Sequence, residues 1–250
     1  MKIIRFEYQG KENYGHLKED VIAIVQGDIF TGAVETGETV PLSNVKVLAP
    51  VLPSKIIGLG LNYEKHAKEA GFDLPDEPLL FLMPPSSVIG PGESIIYPEG
   101  VNRVDYEGEL GIVIGKEARK VTEEEALNYV HGYTAVNDVS ARDYQNKDGQ
   151  WTRAKGFDTF CPVGPVIATG LDPDNVKIET RLNGKTVQSE NTDDLIFKNA
   201  RLISFISNVM TLLPGDLIST GTPSGVGPLK KGDEVEIEIE EIGILKNPVA

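Results

Sequence analysis

"VDYEGELGIVIG", residues 104–115, decides how this chain folds. Its second half, "LGIVIG", is apolar at nearly every position and reads as a strand covered on both faces, inside a sheet rather than at its rim. Its first half carries Asp105, Glu107 and Glu109 at every second position. Residues i and i+2 of a strand share a face, so Glu107 and Glu109 project side by side, with Asp105 next in the row. Carboxylates that close raise one another's pKa and cost stability unless a cation or a donor compensates. The row is therefore either a solvated edge or a place for something positive. Hard divalent ions favour oxygen ligands of this kind. A third acid would come from elsewhere, and "GYTAVNDVSARDYQ" (132–145) offers Asp138 just after a strand-like run.

Outward from that strand the chain is rich in short β segments. "KIIRFEYQG", "HLKEDVIAIV" and "GDIFTGAV" make a small N-terminal β domain over 1–48, and "VKVLAPVLPSK" carries the chain into a larger domain over 49–250. "KIIGLGL" (55–61) and "PLLFLM" (78–83) read as strands. Between them "NYEKHAKEAG" (62–71) reads as a short helix capped by Asn62 and ended by Gly71. Thr122 three residues before Glu125 is a capping-box spacing and predicts a helix of about ten residues. "VKIETRLNGKTVQSE" is two alternating runs joined by Asn183-Gly184, a type I′ hairpin signal. "LIFKNARLISFISNVMTLLPGD" predicts one amphipathic helix stopping before Pro214, and "DEVEIEI" a half-exposed strand. Strands outnumber helices with few βαβ units, so the fold class is α+β and β-rich, mixed or antiparallel.

Three further stretches carry chemistry. His66 and Glu69 stand at i and i+3, close enough on a helix to hydrogen-bond and make a base of the imidazole, or simply to face water. "SARDYQNKDGQWTRAKGFDTF" (140–160) offers Arg142, Gln145 and Lys155 either as donors for a carboxylate or as exposed loop charges, with Trp151 and Phe157 either covering a site or filling core. "PGDLISTGTPSGVGP" (214–228) reads as a tight loop whose backbone N–H groups and Thr222 can hold an anion; no GK[ST] follows, so it is not a P-loop.

Bulk properties exclude other classes. Formal net charge is −14, which argues against nucleic acid or an anionic membrane as partner. Cys161 is the only cysteine, so no internal disulfide forms, and without an 18-residue apolar run or a signal-peptide pattern a cytoplasmic location is expected.

Taken in order, "GLGLNYEKHAKE", "FLMPPSSVIGPG", "VDYEGELGIVIGK", "GYTAVNDVSARDYQ", "KGFDTFCPVGP", "LNGKTVQSENTDDLIF" and "PGDLISTGTPSGVGP" resemble the fumarylacetoacetate hydrolase family over about residues 50–248. The similarity is greatest to its short acylpyruvase, oxaloacetate decarboxylase or tautomerase, and hydroxymuconate-type isomerase members. The resemblance implies a mixed β-sandwich roll, a homodimer, and a small anionic 2-oxo acid as substrate. It also implies Mg²⁺ or Mn²⁺, with Ca²⁺ accepted in vitro, on Glu107, Glu109 and Asp138. It further implies His66 and Glu69 as an acid–base dyad on a lid helix, Lys155 at the metal site, and Arg142, Gln145 and Thr222 against substrate. Asp105 matches no ligand position and is expected to be a supporting or surface acid. Lys65 stands where the family's helix motif has Asp, and Met83 where many members have Lys. The expected reaction is hydrolysis of acylpyruvates or decarboxylation or tautomerisation of oxaloacetate, through a shared enolate. The alternatives are a 2-hydroxyhepta-2,4-diene-1,7-dioate-type isomerase or decarboxylase, and a non-catalytic metal-binding interaction paralogue.

Overall fold

The computed structural model describes residues 1–71 and 73–250. The chain opens with strands β1 (Lys2–Tyr8), β2 (Lys11–Lys18), β3 (Val21–Gln26), β4 (Val34–Pro41) and the short β5 (Lys46–Val47). Then come β6 (Ile56–Gly60), helix α1 (Glu64–Ala70), β7 (Leu79–Met83), β8 (Val88–Ile89), β9 (Val104–Tyr106) and β10 (Gly108–Ile114). β11 (Val130–Asn137), β12 (Ser140–Ala141), α2 (Arg142–Asp148), α3 (Thr152–Lys155) and β13 (Cys161–Ala168) follow. The remainder is β14 (Lys177–Leu182), β15 (Lys185–Asn191), α4 (Asn199–Val209), β16 (Leu217–Ser219), β17 (Gly227–Pro228), β18 (Glu234–Ile239) and β19 (Gly243–Pro248). The chain adopts the β-rich α+β architecture that its sequence predicts.

One long sheet runs β4-β3-β2-β1-β13-β11-β10-β16-β6-β7 and dominates the molecule. β10 lies inside it, paired to β11 on one side and β16 on the other. All seven of its residues are buried, as "LGIVIG" predicts: β11 and β16 close its edges, while Leu110, Ile112 and Ile114 pack into one core cluster and Val113 into another. The N-terminal strands join the same sheet through β1 and β13. The single strand expected over 104–115 is broken at Glu107: β9 joins a three-stranded sheet, β12-β9-β17, while β10 stays in the long one, and β15-β14-β18-β19 form a third. α4 covers the long sheet with Leu202, Ile203 and Ile206, all fully buried.

Local rules succeed where a few residues decide the outcome. Asn183 and Gly184 take φ of 53° and 76°, the left-handed pair a type I′ turn requires, and β14 and β15 pair across them. β18 alternates buried Val235, Ile237 and Ile239 with exposed or half-buried glutamates, as its sequence predicts. Three further local expectations fail for tertiary reasons. The helix after Thr122 shrinks to a single 3₁₀ turn, Ala126–Tyr129, because Val130 already pairs with Ile114 and the β-rich run "VHGYTAVN" belongs to the sheet. Asn62 does not cap α1; its amide instead donates to the carbonyls of Phe197 and Thr220 and accepts from the Phe197 N–H. Asp194 takes over at that helix terminus, accepting from the Lys65 N–H. Finally, "PGDLISTG" is not all loop, since Leu217–Ser219 is a buried strand parallel to β6. Buried Asp216 sets that strand's approach, accepting from Ser54 Oγ, the Leu213 N–H and Lys55 Nζ.

Candidate active site

Residues from β10, the β11–β12 junction, α1, α2, α3 and the loop after β16 converge on one cavity of about 510 Å³. Its lining includes His66, Glu107, Glu109, Arg142, Gln145, Lys155 and Thr222, seven of the nine residues singled out from the sequence. Asp138 is outside the lining but fully buried, its carboxylate within 4.8 Å of those of Glu107 and Glu109, and Glu69 sits on α1 outside the lining. Leu59, Leu79, Phe81, Trp151 and Val226 give the cavity an apolar wall. Trp151 therefore covers the site, packed on Phe81 at 5.4 Å, whereas Phe157 stacks on Phe160 and Tyr144 in the core.

Glu107, Glu109 and Asp138 bring one carboxylate oxygen each to within 4.8 Å of one another, all three residues buried. Their partners differ, and the difference orders their acidities. Glu107 accepts from Arg142 Nη2 at 2.6 Å and Lys155 Nζ at 2.7 Å. Burial pushes its carboxyl up, but the two cations outweigh burial and hold it down at about 2. Asp138 has one cation, Lys155 Nζ at 2.6 Å. Burial pushes Asp138 up to about 7, Lys155 opposing and Glu107 adding to the rise. Glu109 has no cation within hydrogen-bonding reach; burial, then Asp138 and Glu107, drive its carboxyl well above the usual range. Lys155 is itself buried, which lowers its pKa, yet Asp138 and Glu107 hold its ammonium above the ordinary lysine value.

Glu109 is held instead by neutral donors. Ser219 Oγ donates to its Oε2 at 2.6 Å and the Gly221 N–H at 2.8 Å. The loop read as an anion cradle does cradle an anion, and that anion is a side chain of the same protein. Thr222 Oγ1 is likewise committed, donating to the Gly108 carbonyl and accepting from Gln188 Nε2. The glycines and hydroxyls of "STGT" were the available signal for this role, but nothing in a linear reading ties them to residue 109. Asn137 is another contributor that spacing does not reveal; its Oδ1 accepts the Glu107 N–H at 3.0 Å.

The donor set fits a hard divalent cation. Three carboxylates converge, and Asp138 Oδ1 is buried without a hydrogen-bond partner, although burying such an acceptor unpaired is costly. Lys155 and Arg142 leave the three acids with a residual charge of about −1, which a dication and an anionic ligand would balance.

Above the acids, His66 Nδ1 stands 3.6 Å from Glu69 Oε2, so the predicted hydrogen bond of this pair is not made. Nδ1 is buried without a partner, and Glu69 Oε2 accepts the Gly225 N–H at 3.2 Å. The i,i+3 spacing does bring the two side chains together; the loop's amide draws the carboxylate aside. Lys65 ties the helix down from outside through Glu190 at 2.8 Å.

Fold and site together define a β-rich protein whose cavity meets three buried carboxylates, an arrangement that could hold a divalent ion. A profile described as Fumarylacetoacetate (FAA) hydrolase C-terminal matches residues 55–250, and one described as Rv2993c-like, N-terminal matches residues 1–50. The chain belongs to the fumarylacetoacetate hydrolase family, a family of enzymes that act on small acids. An uncharacterized protein of Archaeoglobus fulgidus is 55% identical over 232 residues, which are 90% of this chain and 93% of that one. The mitochondrial oxaloacetate tautomerase Fahd2a of Rattus norvegicus is 46% identical over 222 residues, 84% of this chain and 71% of its own. The crystal structure of 5-carboxymethyl-2-hydroxymuconate delta-isomerase from Mycobacterium smegmatis superposes with a TM-score of 0.95 at 44% identity, covering 100% of this chain and 99% of that one. No helix among the described residues is long and apolar enough to cross a membrane.

Proposed function

We propose that this protein is a divalent-metal-dependent enzyme that enolises a small 2-oxo acid, with keto–enol tautomerisation of oxaloacetate as its reaction. One observation carries the reading: three buried carboxylates within 4.8 Å, one with an unpartnered oxygen, meet a cavity that also holds His66 and Lys155. Glu107, Glu109 and Asp138 hold the ion, Mg²⁺ or Mn²⁺. Bound there, it supplies a Lewis acid toward the 2-oxo group.

The chain's own residues do the rest. Gln145, whose Oε1 accepts from Arg142 Nη1 at 2.7 Å, turns its amide N–H₂ to the substrate carboxylate. His66 takes the proton from the carbon next to the carbonyl, breaking that C–H bond while the electron pair moves onto the 2-oxo oxygen. The same imidazole then gives that proton to the 2-oxo oxygen, completing the enol; in the reverse direction it takes the enol O–H proton and protonates the carbon, and no water is consumed. Glu69, at 3.6 Å, stabilises the imidazolium that forms. Lys155 adds positive charge where the oxygen becomes negative. The apolar wall of Leu59, Phe81 and Trp151 limits water around the transferring proton. The names of the rat and M. smegmatis relatives, a tautomerase and a delta-isomerase, support rearrangement over bond cleavage. The profile matches, meeting between residues 50 and 55, support the division into 1–48 and 49–250.

Hydrolysis of acylpyruvates is the second reading, favoured by the nearness of His66 and Glu69, since a carboxylate-supported imidazole can also activate water. A substrate panel with Mg²⁺ or EDTA separates the readings: enol and keto oxaloacetate, acetylpyruvate, fumarylpyruvate and a hydroxyhexadienedioate. Metal-dependent loss of the enol absorbance without carbon dioxide release is expected for oxaloacetate. Cleavage of acylpyruvates with inert oxaloacetate would move the assignment to hydrolase. Inertness to the whole panel with metal bound would leave the non-catalytic paralogue.

A further inference from the structure

Asp105, which lines no part of the cavity, is completely buried. Both its oxygens are engaged by arginines. Arg103 donates to Oδ1 from Nε at 2.8 Å and to Oδ2 from Nη2 at 3.0 Å, and Arg142 Nε donates to Oδ2 at 2.8 Å. The backbone reinforces the arrangement. Asp105 is in register with Ser140 in the β9–β12 pair, and the Arg142 N–H donates to the Arg103 carbonyl at 2.9 Å. Asn102 donates twice to Asp143, tying the first turn of α2 to the same stretch.

A guanidinium is a rigid plane with five donors. With Nε anchored on Asp105, the plane of Arg142 has one orientation, which sends Nη2 to Glu107 Oε1 at 2.6 Å and Nη1 to Gln145 Oε1 at 2.7 Å. We infer that Asp105 is a positioning residue: acting through Arg142, it limits that arginine to one contact with Glu107 and presents Gln145 to the cavity. Without the carboxylate at residue 105, Arg142 has Glu107 as its one remaining anionic partner and swings into a two-pronged pair with it. Glu107 is then drawn out of the group it forms with Glu109 and Asp138, and Gln145 loses its orientation. Arg103, half exposed, is the outer clamp, engaging both oxygens of the Asp105 carboxylate. The inference rests on the reading of Glu107, Glu109 and Asp138 as a cation site.

The test is a Mn²⁺ titration by calorimetry, with KM and kcat for enol-oxaloacetate, on Asp105→Asn, Arg142→Gln and the double variant. Loss of groups that orient metal ligands typically weakens affinity about 10- to 100-fold, and that rise in Mn²⁺ dissociation constant is expected for Asp105→Asn. KM should rise with it, while kcat at saturating Mn²⁺ stays within about threefold, because no group touching the reacting atoms has been removed. In the Arg142→Gln background the same substitution should add no more than about twofold, since its route of action is gone. Wild-type Mn²⁺ affinity and KM in folded Asp105→Asn would overturn the inference, as would an effect of full size in the Arg142→Gln background. If Asp105→Asn does not fold, Arg103→Gln takes its place on the half-exposed side, with about two- to fivefold weaker Mn²⁺ binding expected and wild-type values overturning the inference. Wild-type protein that binds no Mn²⁺ would instead sink the cation-site reading beneath it.

Discussion

Replacing Glu109 by Gln should make the metal-free protein more stable while taking away its response to metal. Glu109 is buried against two acids and has only neutral donors, Ser219 Oγ and the Gly221 N–H. An amide oxygen can accept both of those bonds, and the new N–H₂ faces Glu107 and Asp138, whose Oδ1 lacks a donor. Two unit charges 4.8 Å apart repel by about 3.5 kcal/mol at an effective dielectric constant of about 20. Glu109 has two such neighbours, offset by its attraction to Lys155 and by partial protonation, so a net gain of about 1–3 kcal/mol is reasonable. For a chain of this length that is a rise in Tm of roughly 3–9 °C. The gain has a pH signature. A carboxyl whose pKa is raised by folding stabilises the native state below its unfolded pKa, and that stability is lost as pH rises toward the folded value. Gln cannot titrate, so the advantage of Glu109→Gln in EDTA should be small at pH 5 and grow toward pH 8. In Mg²⁺ the order reverses, because wild-type protein gains RT ln(1 + [L]/Kd) and the variant gains little. Thermal melts at both pH values, with EDTA and with Mg²⁺, measure all of this. A variant melting at or below wild type in EDTA at pH 8, or responding equally to Mg²⁺, would refute the reasoning.

Two further outcomes follow from the same geometry. Because the Asp138 carboxyl is pushed up to about 7 and Glu109 well above its ordinary value, Mn²⁺ must displace protons, so affinity should fall between pH 8 and pH 6; calorimetry in buffers of different ionisation enthalpy would show the release, and a pH-independent affinity would contradict the shifts. A Cβ on Gly60 would lie 2.6 Å from the Trp151 ring, so Gly60→Ala should displace the tryptophan that walls the cavity, costing about 1–3 kcal/mol of stability and raising KM; unchanged Trp fluorescence and KM would show that the wall gives way elsewhere.

Much of the site was legible because it depends on short-range rules. Closeness in sequence kept Glu107 and Glu109 together at one cavity, even though the chain changes sheets at Glu107, and helical spacing placed His66 near Glu69. The hairpin at Asn183-Gly184 was legible for the same reason, since φ > 0 at both positions is a property of two residues. The hydrogen bond between His66 and Glu69 was not, because Gly225, 156 residues further along the chain, competes for the carboxylate. The Thr122 helix failed in the same way: a four-residue capping signal was outweighed by a strand with partners on both sides.

By itself the sequence determined the β-rich architecture, the family, and which carboxylates come in a row, because strand periodicity and motif order are written locally. Only the tertiary structure decided what each carboxylate is for. Asp105, Glu107 and Glu109 are equivalent in spacing, yet one is clamped between two arginines, one is held down by Lys155 and Arg142, and one is left to hydroxyl and amide donors. Apart from Arg103, two residues from Asp105, their partners come from α2, α3, β16 and the loop after β16, between 35 and 112 residues further along the chain. Burial then magnifies the differences among those partners, since a charge removed from water takes its energy from whichever donor or cation folding sets beside it.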